Sequence, residues 1–106
     1  MYHFGEVVLL EYPYSDLSGV KLRPAVVIRD TNDNDFILAR ITSQKGQSQY
    51  DMVIDYWQSA GLLRPSVIRV HKLVTLETYL VKRTMGKLSE RDLNKLSDTL
   101  KNLFSI

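Results

Sequence analysis

The chain has 106 residues, 44% of them hydrophobic, with 14 basic and 12 acidic side chains, two histidines and no cysteine. A chain of this length can bury a core without disulfides, so we expect a single domain over residues 1–106. The lack of cysteine excludes disulfides, thiolate nucleophiles and cysteine-based metal sites. No apolar run approaches the roughly 20 residues of a membrane helix, and no secretory signal is visible, so we expect a cytoplasmic protein.

The basic surplus is concentrated in one segment, although the net charge of the chain is only +2. Residues 64–87 contain six basic side chains and a single acidic one, Glu77, which gives this segment a net charge of +5. Such a segment is either a solvated face or a surface for a polyanion such as nucleic acid.

Short apolar runs bounded by turn-forming residues predict a body of β-strands. The predicted strands cover residues 7–11, 24–29, 36–41, 50–57, 66–72 and 80–85. Polar loops at 13–21 and 42–49 and an Asn/Asp-rich turn at 30–35 separate the first four of them.

The C-terminal segment has a helical period. Leu93, Leu96, Leu100 and Leu103 recur at spacings of three and four residues, and the sequence SERD at 89–92 resembles a capping box. We therefore predict an amphipathic helix over about residues 90–104. A mainly β chain with a C-terminal helix suggests a small barrel, because closure removes the exposed edges of short strands.

The sequence carries no pattern for a metal or a cofactor. His3 and His71 lie on separate predicted elements, and the acidic turn at 30–35 lacks the glycine and the closing glutamate of an EF-hand loop. The five glycines are isolated, so a glycine-rich phosphate loop is also missing. We expect no metal and no cofactor, and any catalysis would rely on Arg, Lys, Thr, Ser and His.

Several short motifs follow one another in an order that is typical of one family. They are GEVVLLEYPY at 5–14, KLRPAVVI at 21–28, ITSQ at 41–44, SVI at 66–68 with LVTL at 73–76, and GKLS at 86–89. Together they resemble the MazF/PemK family of toxin ribonucleases, over nearly the whole chain.

This resemblance implies an SH3-like β-barrel of the MazF/CcdB type. It implies a homodimer with a groove over its interface and a cognate antitoxin whose peptide blocks that groove. The implied activity is a metal-independent, sequence-selective endoribonuclease of the mRNA interferase type. It would cleave single-stranded RNA by attack of the 2′-hydroxyl and leave a 2′,3′-cyclic phosphate.

Matching the family motifs onto this chain assigns the catalytic pair to Arg23 and Thr42. Arginine is always charged and offers a planar fork that fits phosphate oxygens, and a threonine hydroxyl can donate to the same oxygens. Arginine is a poor proton carrier because its pKa exceeds about 12, whereas histidine titrates near pH 6.5, so His71 is the third catalytic candidate. Some relatives carry an arginine, which Arg69 could match, and an acid in this region, and the acid/base assignment therefore stays open.

The candidate RNA contacts are of three kinds. Neutral polar side chains could read base edges, an aromatic ring could stack on an unpaired base, and cations could contact phosphates. The residues predicted for these roles are Tyr14, Ser43, Gln44, Lys45, Arg69 and Lys72.

Two other functions fit the same fold. A gyrase-inhibiting toxin of the CcdB type would act by binding through an apolar C-terminal end, for which the sequence LFSI at 103–106 is a candidate. A non-catalytic SH3-like interaction module would leave Arg23 and Thr42 without a chemical role.

Overall fold

The computed structural model describes residues 1–13, 20–44 and 48–106. The predicted alternation of strands and turns gives six described strands, followed by one α-helix. In chain order the elements are β1 (Glu6–Pro13), β2 (Val20–Asp30), β3 (Asp35–Thr42), β4 (Asp51–Val53), β5 (Val67–Glu77), a 3₁₀ helix (Thr78–Leu80), β6 (Val81–Lys87) and α1 (Glu90–Phe104).

The strands form one antiparallel sheet in the order β4-β5-β3-β2-β1-β6. This arrangement confirms the mainly β fold with a C-terminal helix. A closed barrel is not confirmed, because β4 and β6 are the two edges of the sheet and no strand pairing joins them within the described ranges.

The segment that follows β4 nevertheless packs closely on β6. Gly61 has a φ of +84°, and a Cβ atom there would collide with the carbonyl oxygen of Met85. A Cβ atom on Gly86 would lie 2.7 Å from the carbonyl oxygen of Ala60. Two glycines thus allow the backbones to touch where side chains would keep them apart.

Alternation along the strands buries apolar side chains on both faces of the sheet. One core includes Val7, Val26, Ile41 and Ile68, and the apolar stripe of α1 packs on it through Leu96. The other face carries a second core that includes the side chains of Val8, Leu10, Val27, Phe36 and Leu38. Both faces are therefore occupied by core over most of the sheet, and a polar site has room only at its ends.

Helix α1 begins as predicted, at an N-cap where the side chain of Ser89 accepts a hydrogen bond from the backbone N–H of Asp92. The carboxylate of Asp92 is fully buried and accepts hydrogen bonds from the backbone N–H groups of Asp55 at 3.0 Å and Tyr56 at 2.9 Å. These bonds join the helix to the chain that follows β4. Among the helices of the described ranges, none combines the length and the apolar character that crossing a membrane requires.

An exposed ion pair lies beside this junction. The Nζ atom of Lys95 is 3.0 Å from a carboxylate oxygen of Asp55, and Nε of Arg91 is 3.4 Å from the same oxygen. The hydrogen bond from Lys95, helped by Arg91, holds the pKa of Asp55 below its ordinary value.

The strand predicted over residues 50–57 is wrong beyond its first few residues. Strand β4 covers only Asp51–Val53, and turns follow it. The physical reason is the junction with α1, since the N–H groups of Asp55 and Tyr56 bond to Asp92 instead of to a neighbouring strand. Strand β5 is longer than predicted and continues to Glu77.

A candidate anion-binding groove where two strands part

Strands β2 and β3 pair over only part of their length. Their last pair is Ala25 with Arg40. Beyond it, β2 continues along β1, where Arg23 pairs with Leu10, and β3 continues along β5, where Thr42 pairs with Val67. Pro24 precedes Ala25 in the chain and is the first residue of β2 outside the β2–β3 pairing, and a proline has no N–H to donate to a ladder. The sheet therefore splits into a fork at this point.

A cavity of about 400 Å³ lies in this fork. The loop that precedes β5 forms one of its walls, and apolar side chains from β1, β3 and β6 also line it. We call this cavity the fork groove, and its lining residues are Leu9, Leu22, Arg23, Pro24, Arg40, Ile41, Thr42, Ser43, Gln44, Leu62, Leu63, Arg64, Ser66 and Met85.

Arg23 and Thr42 are brought together here from two different strands. Each lies two residues beyond the last β2–β3 pair, one on each side of the fork, and both side chains are half-buried. The hydroxyl oxygen of Thr42 accepts a hydrogen bond from the backbone N–H of Gln44 at 3.2 Å. This bond uses the oxygen as an acceptor, so the hydroxyl hydrogen remains the part of the group that can donate to an anion.

The predicted base-reading residues fall into two groups. Ser43 and Gln44 are exposed and line the fork groove directly after Thr42. Tyr14 and Lys45 lie outside the described residues. These two residues add one hydroxyl and one carboxamide to the lining of the groove.

Arg69 and Lys72 do not line the fork groove. The Nε atom of Arg69 donates to Oδ1 of Asp51 at 3.1 Å, and that carboxylate is only 2% exposed. Arg69 therefore neutralises a buried charge on the neighbouring strand β4. Lys72 is exposed on β5, away from the groove lining.

His71 lies in an irregular part of β5. The pairing with β3 passes from Leu73 opposite Ala39 directly to Arg69 opposite Arg40, so residues 70–72 have no partner on β3. The imidazole of His71 is half-buried beside the ring of Tyr50, with 6.3 Å between ring centroids. Its Nδ1 atom is buried and finds no hydrogen-bond partner among the residues that the structure describes. Within this single chain the imidazole does not line the fork groove.

The structure also brings two arginines into the groove that sequence reasoning missed. Arg40 lies on β3 two residues before Thr42, and Arg64 lies in the loop before β5. The signal for Arg40 was present, because alternate residues of a strand share a face and Arg40 is therefore on the face of Thr42. Arg64 comes to the groove only through the folding of its loop, which no strand pattern predicts.

The donor set of the groove suits an anion. Its described polar lining consists of guanidinium, hydroxyl and carboxamide groups, with no carboxylate. In the described part of the chain, no three His, Asp or Glu side chains are grouped so that they could hold a metal ion. Guanidinium groups bind phosphate and carboxylate oxygens through paired hydrogen bonds.

The fold and the groove define a small antiparallel β protein with a C-terminal helix and a groove lined by three arginines. The sequence pattern of the PemK-like, MazF-like toxins of type II toxin–antitoxin systems matches residues 3–104. The chain belongs to this family of toxins. No curated protein sequence matches it.

Three solved structures illustrate the similarity of the fold. An endoribonuclease in complex with its cognate antitoxin, from a mycobacterial species, is 13% identical at a TM-score of 0.75, over 100% of this chain and 97% of that one. The Mycobacterium tuberculosis toxin MazF-mt6 is 18% identical at a TM-score of 0.73, over 93% and 97%. MazF in a MazE–MazF complex from Deinococcus radiodurans is 14% identical at a TM-score of 0.76, over 97% and 95%.

Proposed function

We propose that this toxin is an endoribonuclease that cleaves single-stranded RNA at selected sequences without a metal ion. The observation that carries the proposal is the position of Arg23 and Thr42 on the two sides of one groove, with Ser43 and Gln44 beside them. The names of similar structures support it, since two mycobacterial relatives are described as endoribonucleases.

The proposed reaction is an internal transfer at phosphorus. The 2′-oxygen of the RNA attacks the adjacent phosphate, the bond from phosphorus to the 5′-oxygen breaks, and a 2′,3′-cyclic phosphate forms. The 2′-hydroxyl loses a proton and the 5′-oxygen gains one, so the protons balance. Because the nucleophile is the 2′-oxygen of the RNA itself, the reaction needs no external nucleophile. The protein has to position the phosphate and stabilise the negative charge on its oxygens.

Arg23 and Thr42 are suited to that task. The guanidinium of Arg23 supplies a fixed positive charge and a planar pair of donors to the phosphate oxygens. The hydroxyl of Thr42 adds a neutral donor from the opposite side of the fork. In a half-buried groove these interactions are stronger than they would be in open water.

Proton transfer by His71 stays a prediction. Its imidazole does not line the fork groove of the single chain, so a catalytic role would require a groove that a second copy of the chain completes. Contacts of Arg69 and Lys72 with RNA stay predictions for the same reason.

We further propose that the toxin acts in the cytoplasm as a homodimer and that a cognate antitoxin covers the fork groove. Leu22 and Leu63 border the groove and are 51% and 81% exposed. Apolar side chains at the rim of a cationic groove fit a partner segment that combines carboxylates with apolar residues. Light scattering of the purified toxin, with and without the product of a neighbouring reading frame, tests the dimer and the binding of the antitoxin.

The deciding experiment incubates the purified protein with a long single-stranded RNA in EDTA and maps the cut sites and end groups. We expect cleavage at a short recurring sequence, with 2′,3′-cyclic phosphate ends. Arg23→Ala and Thr42→Val should lose cleavage while keeping the fold. Arg29→Gln is the matched control, since Arg29 is an exposed arginine on the same strand β2 outside the groove.

Intact RNA after incubation with the wild-type protein would contradict the proposal. Inhibition of DNA gyrase by the same preparation would then favour the CcdB-type alternative. Cleavage that is unchanged in Arg23→Ala would leave the activity but remove this residue from the mechanism.

A further inference from the structure

Arg40 lies at the base of the fork groove, where β2 and β3 make their last pair. Phe36 and Leu38 precede it on the same face of β3 and are buried in the core. Arg40 is the first position on this face where the core ends, and its side chain is half-buried. The alternation of β3 thus places a half-buried guanidinium in the lining of the groove.

The charge of Arg40 has no counter-charge among the residues that the structure describes. No salt bridge or side-chain hydrogen bond joins it to any of them. Arg69, which lies opposite Arg40 in the β3–β5 pairing, is different because it pairs with the buried carboxylate of Asp51. A half-buried guanidinium without a carboxylate costs free energy that a bound anion would offset.

The position of Arg40 relative to Thr42 indicates which anion it would hold. Two residues along a strand span about 7 Å, and residues at this spacing share a face. Backbone positions at this separation can each contact a different phosphate, which fits a site for Arg40 beside the one at Thr42. Their spacing is comparable to that between neighbouring phosphates of an extended single strand.

Arg64 lies on the other wall of the groove but is exposed. A fully hydrated charge contributes less to binding than a half-buried one, because water and salt screen it. The structure therefore favours Arg40 over Arg64 as the main contact.

We propose that Arg40 forms a second phosphate-binding subsite, which holds the phosphate next to the one that is cleaved. This inference rests on the proposed ribonuclease function and deepens it. The subsite would fix the register of the RNA backbone in the groove, and it would act on binding without touching the reacting atoms.

The test uses an RNA oligonucleotide that spans a mapped cut site, with 2′-deoxyribose at the cleaved position so that it binds without reacting. Its affinity for the full-length protein is measured by fluorescence anisotropy at several salt concentrations. We expect Arg40→Gln to weaken binding about 10-fold, as for loss of one charge-assisted contact. The slope of log affinity against log salt should fall by about 0.7, the value for one phosphate of a single strand. Arg29→Gln is the matched control and should bind like the wild-type protein.

The neighbouring phosphate is identified by replacing each phosphate in turn with an uncharged methylphosphonate. Neutralising the phosphate that Arg40 contacts should weaken binding by the wild-type protein about 10-fold and leave binding by Arg40→Gln unchanged. With cleavable RNA, kcat at saturation should stay within about threefold for Arg40→Gln, whereas KM should rise. Arg40→Lys, which keeps the charge, should recover part of the affinity and serves if the glutamine variant does not fold.

The outcomes separate this inference from the function on which it rests. Wild-type protein that neither binds nor cleaves RNA would contradict the ribonuclease itself. Wild-type cleavage, with Arg40→Gln and Arg40→Lys matching Arg29→Gln in affinity and salt slope, would overturn the subsite and leave the ribonuclease standing. The subsite is also overturned if neutralising each phosphate weakens RNA binding by Arg40→Gln as much as it weakens RNA binding by the wild-type protein.

Discussion

Arg23 on β2 and Thr42 on β3 each lie two residues beyond the last pair that joins these strands, on opposite sides of the groove that opens there. The sheet therefore holds both side chains on strands anchored elsewhere, since β2 continues to pair with β1 and β3 with β5. A site built on paired strands keeps its geometry better than one built on loops.

The shape of the Arg23 side chain should matter as much as its charge. We expect Arg23→Lys to lower kcat by about 10²–10³, because a lysine keeps the charge but cannot offer two parallel donors to phosphate oxygens. The melting temperature should stay close to that of the wild-type protein. Single-turnover cleavage of a short RNA measures the effect, and a lysine variant with nearly full kcat would show that a point charge suffices.

The pair between Arg69 and Asp51 should contribute to stability. In Arg69→Gln the carboxylate of Asp51, only 2% exposed, loses its ion pair with Arg69. Because Arg69 itself is 23% exposed, we expect a moderate loss of about 1–3 kcal/mol in the free energy of unfolding. Urea unfolding measures it, with Lys72→Gln as the control for an exposed cation on the same strand. Equal stability of the two variants would show that the pair is energetically neutral.

The buried carboxylate of Asp92 should be a main support of the helix. Asp92→Asn loses the negative charge near the helix N-terminus and places an amide group where two backbone N–H groups donate. We expect the free energy of unfolding to fall by about 2–3 kcal/mol. Asp98→Asn, an exposed change on the same helix, should stay within about 0.5 kcal/mol of the wild-type protein. Similar urea midpoints for the two variants would contradict this role.

The ion pair of Asp55 with Lys95 should make stability depend on acid pH. The folded state lowers the pKa of Asp55, so its contribution is present above the ordinary value of 3.8 and is lost as the pH falls through the lower folded-state pKa. Urea unfolding across this range should show wild-type protein and Asp55→Asn converging in acid. A stability difference that is constant with pH would mean that the charge of Asp55 is not responsible.

His71 lies outside the fork groove of the single chain, so its predicted part in proton transfer requires the groove of the proposed dimer. As a proton-transfer residue there, it should be needed for one limb of the pH–rate profile, and His71→Gln should lose that limb. A profile that keeps its shape in this variant would remove His71 from proton transfer.

Much of the local structure follows from the sequence because its causes are local. Alternation of apolar residues, the turn at 30–35 and the leucine spacing before residue 104 predict most of the strands and the helix. The strand predicted over 50–57 is too long because the N–H groups of Asp55 and Tyr56 donate to the carboxylate of Asp92. Asp92 is 36 residues away from Tyr56 in the chain. Periodicity within a segment carries no information about such a distant acceptor.

The sequence by itself determined that arginine and hydroxyl chemistry is available and that Arg23 and Thr42 match a toxin family. Only the tertiary structure decided which of the described cations share a groove, namely Arg23, Arg40 and Arg64, while Arg69 is paired with Asp51. The physical reason is that alternation along a strand predicts only which face of the sheet a side chain lies on. Which residues a side chain contacts depends also on the register between strands that are distant in the chain. This register decides where the β2–β3 pairing ends and leaves residues 70–72 of β5 without a partner on β3.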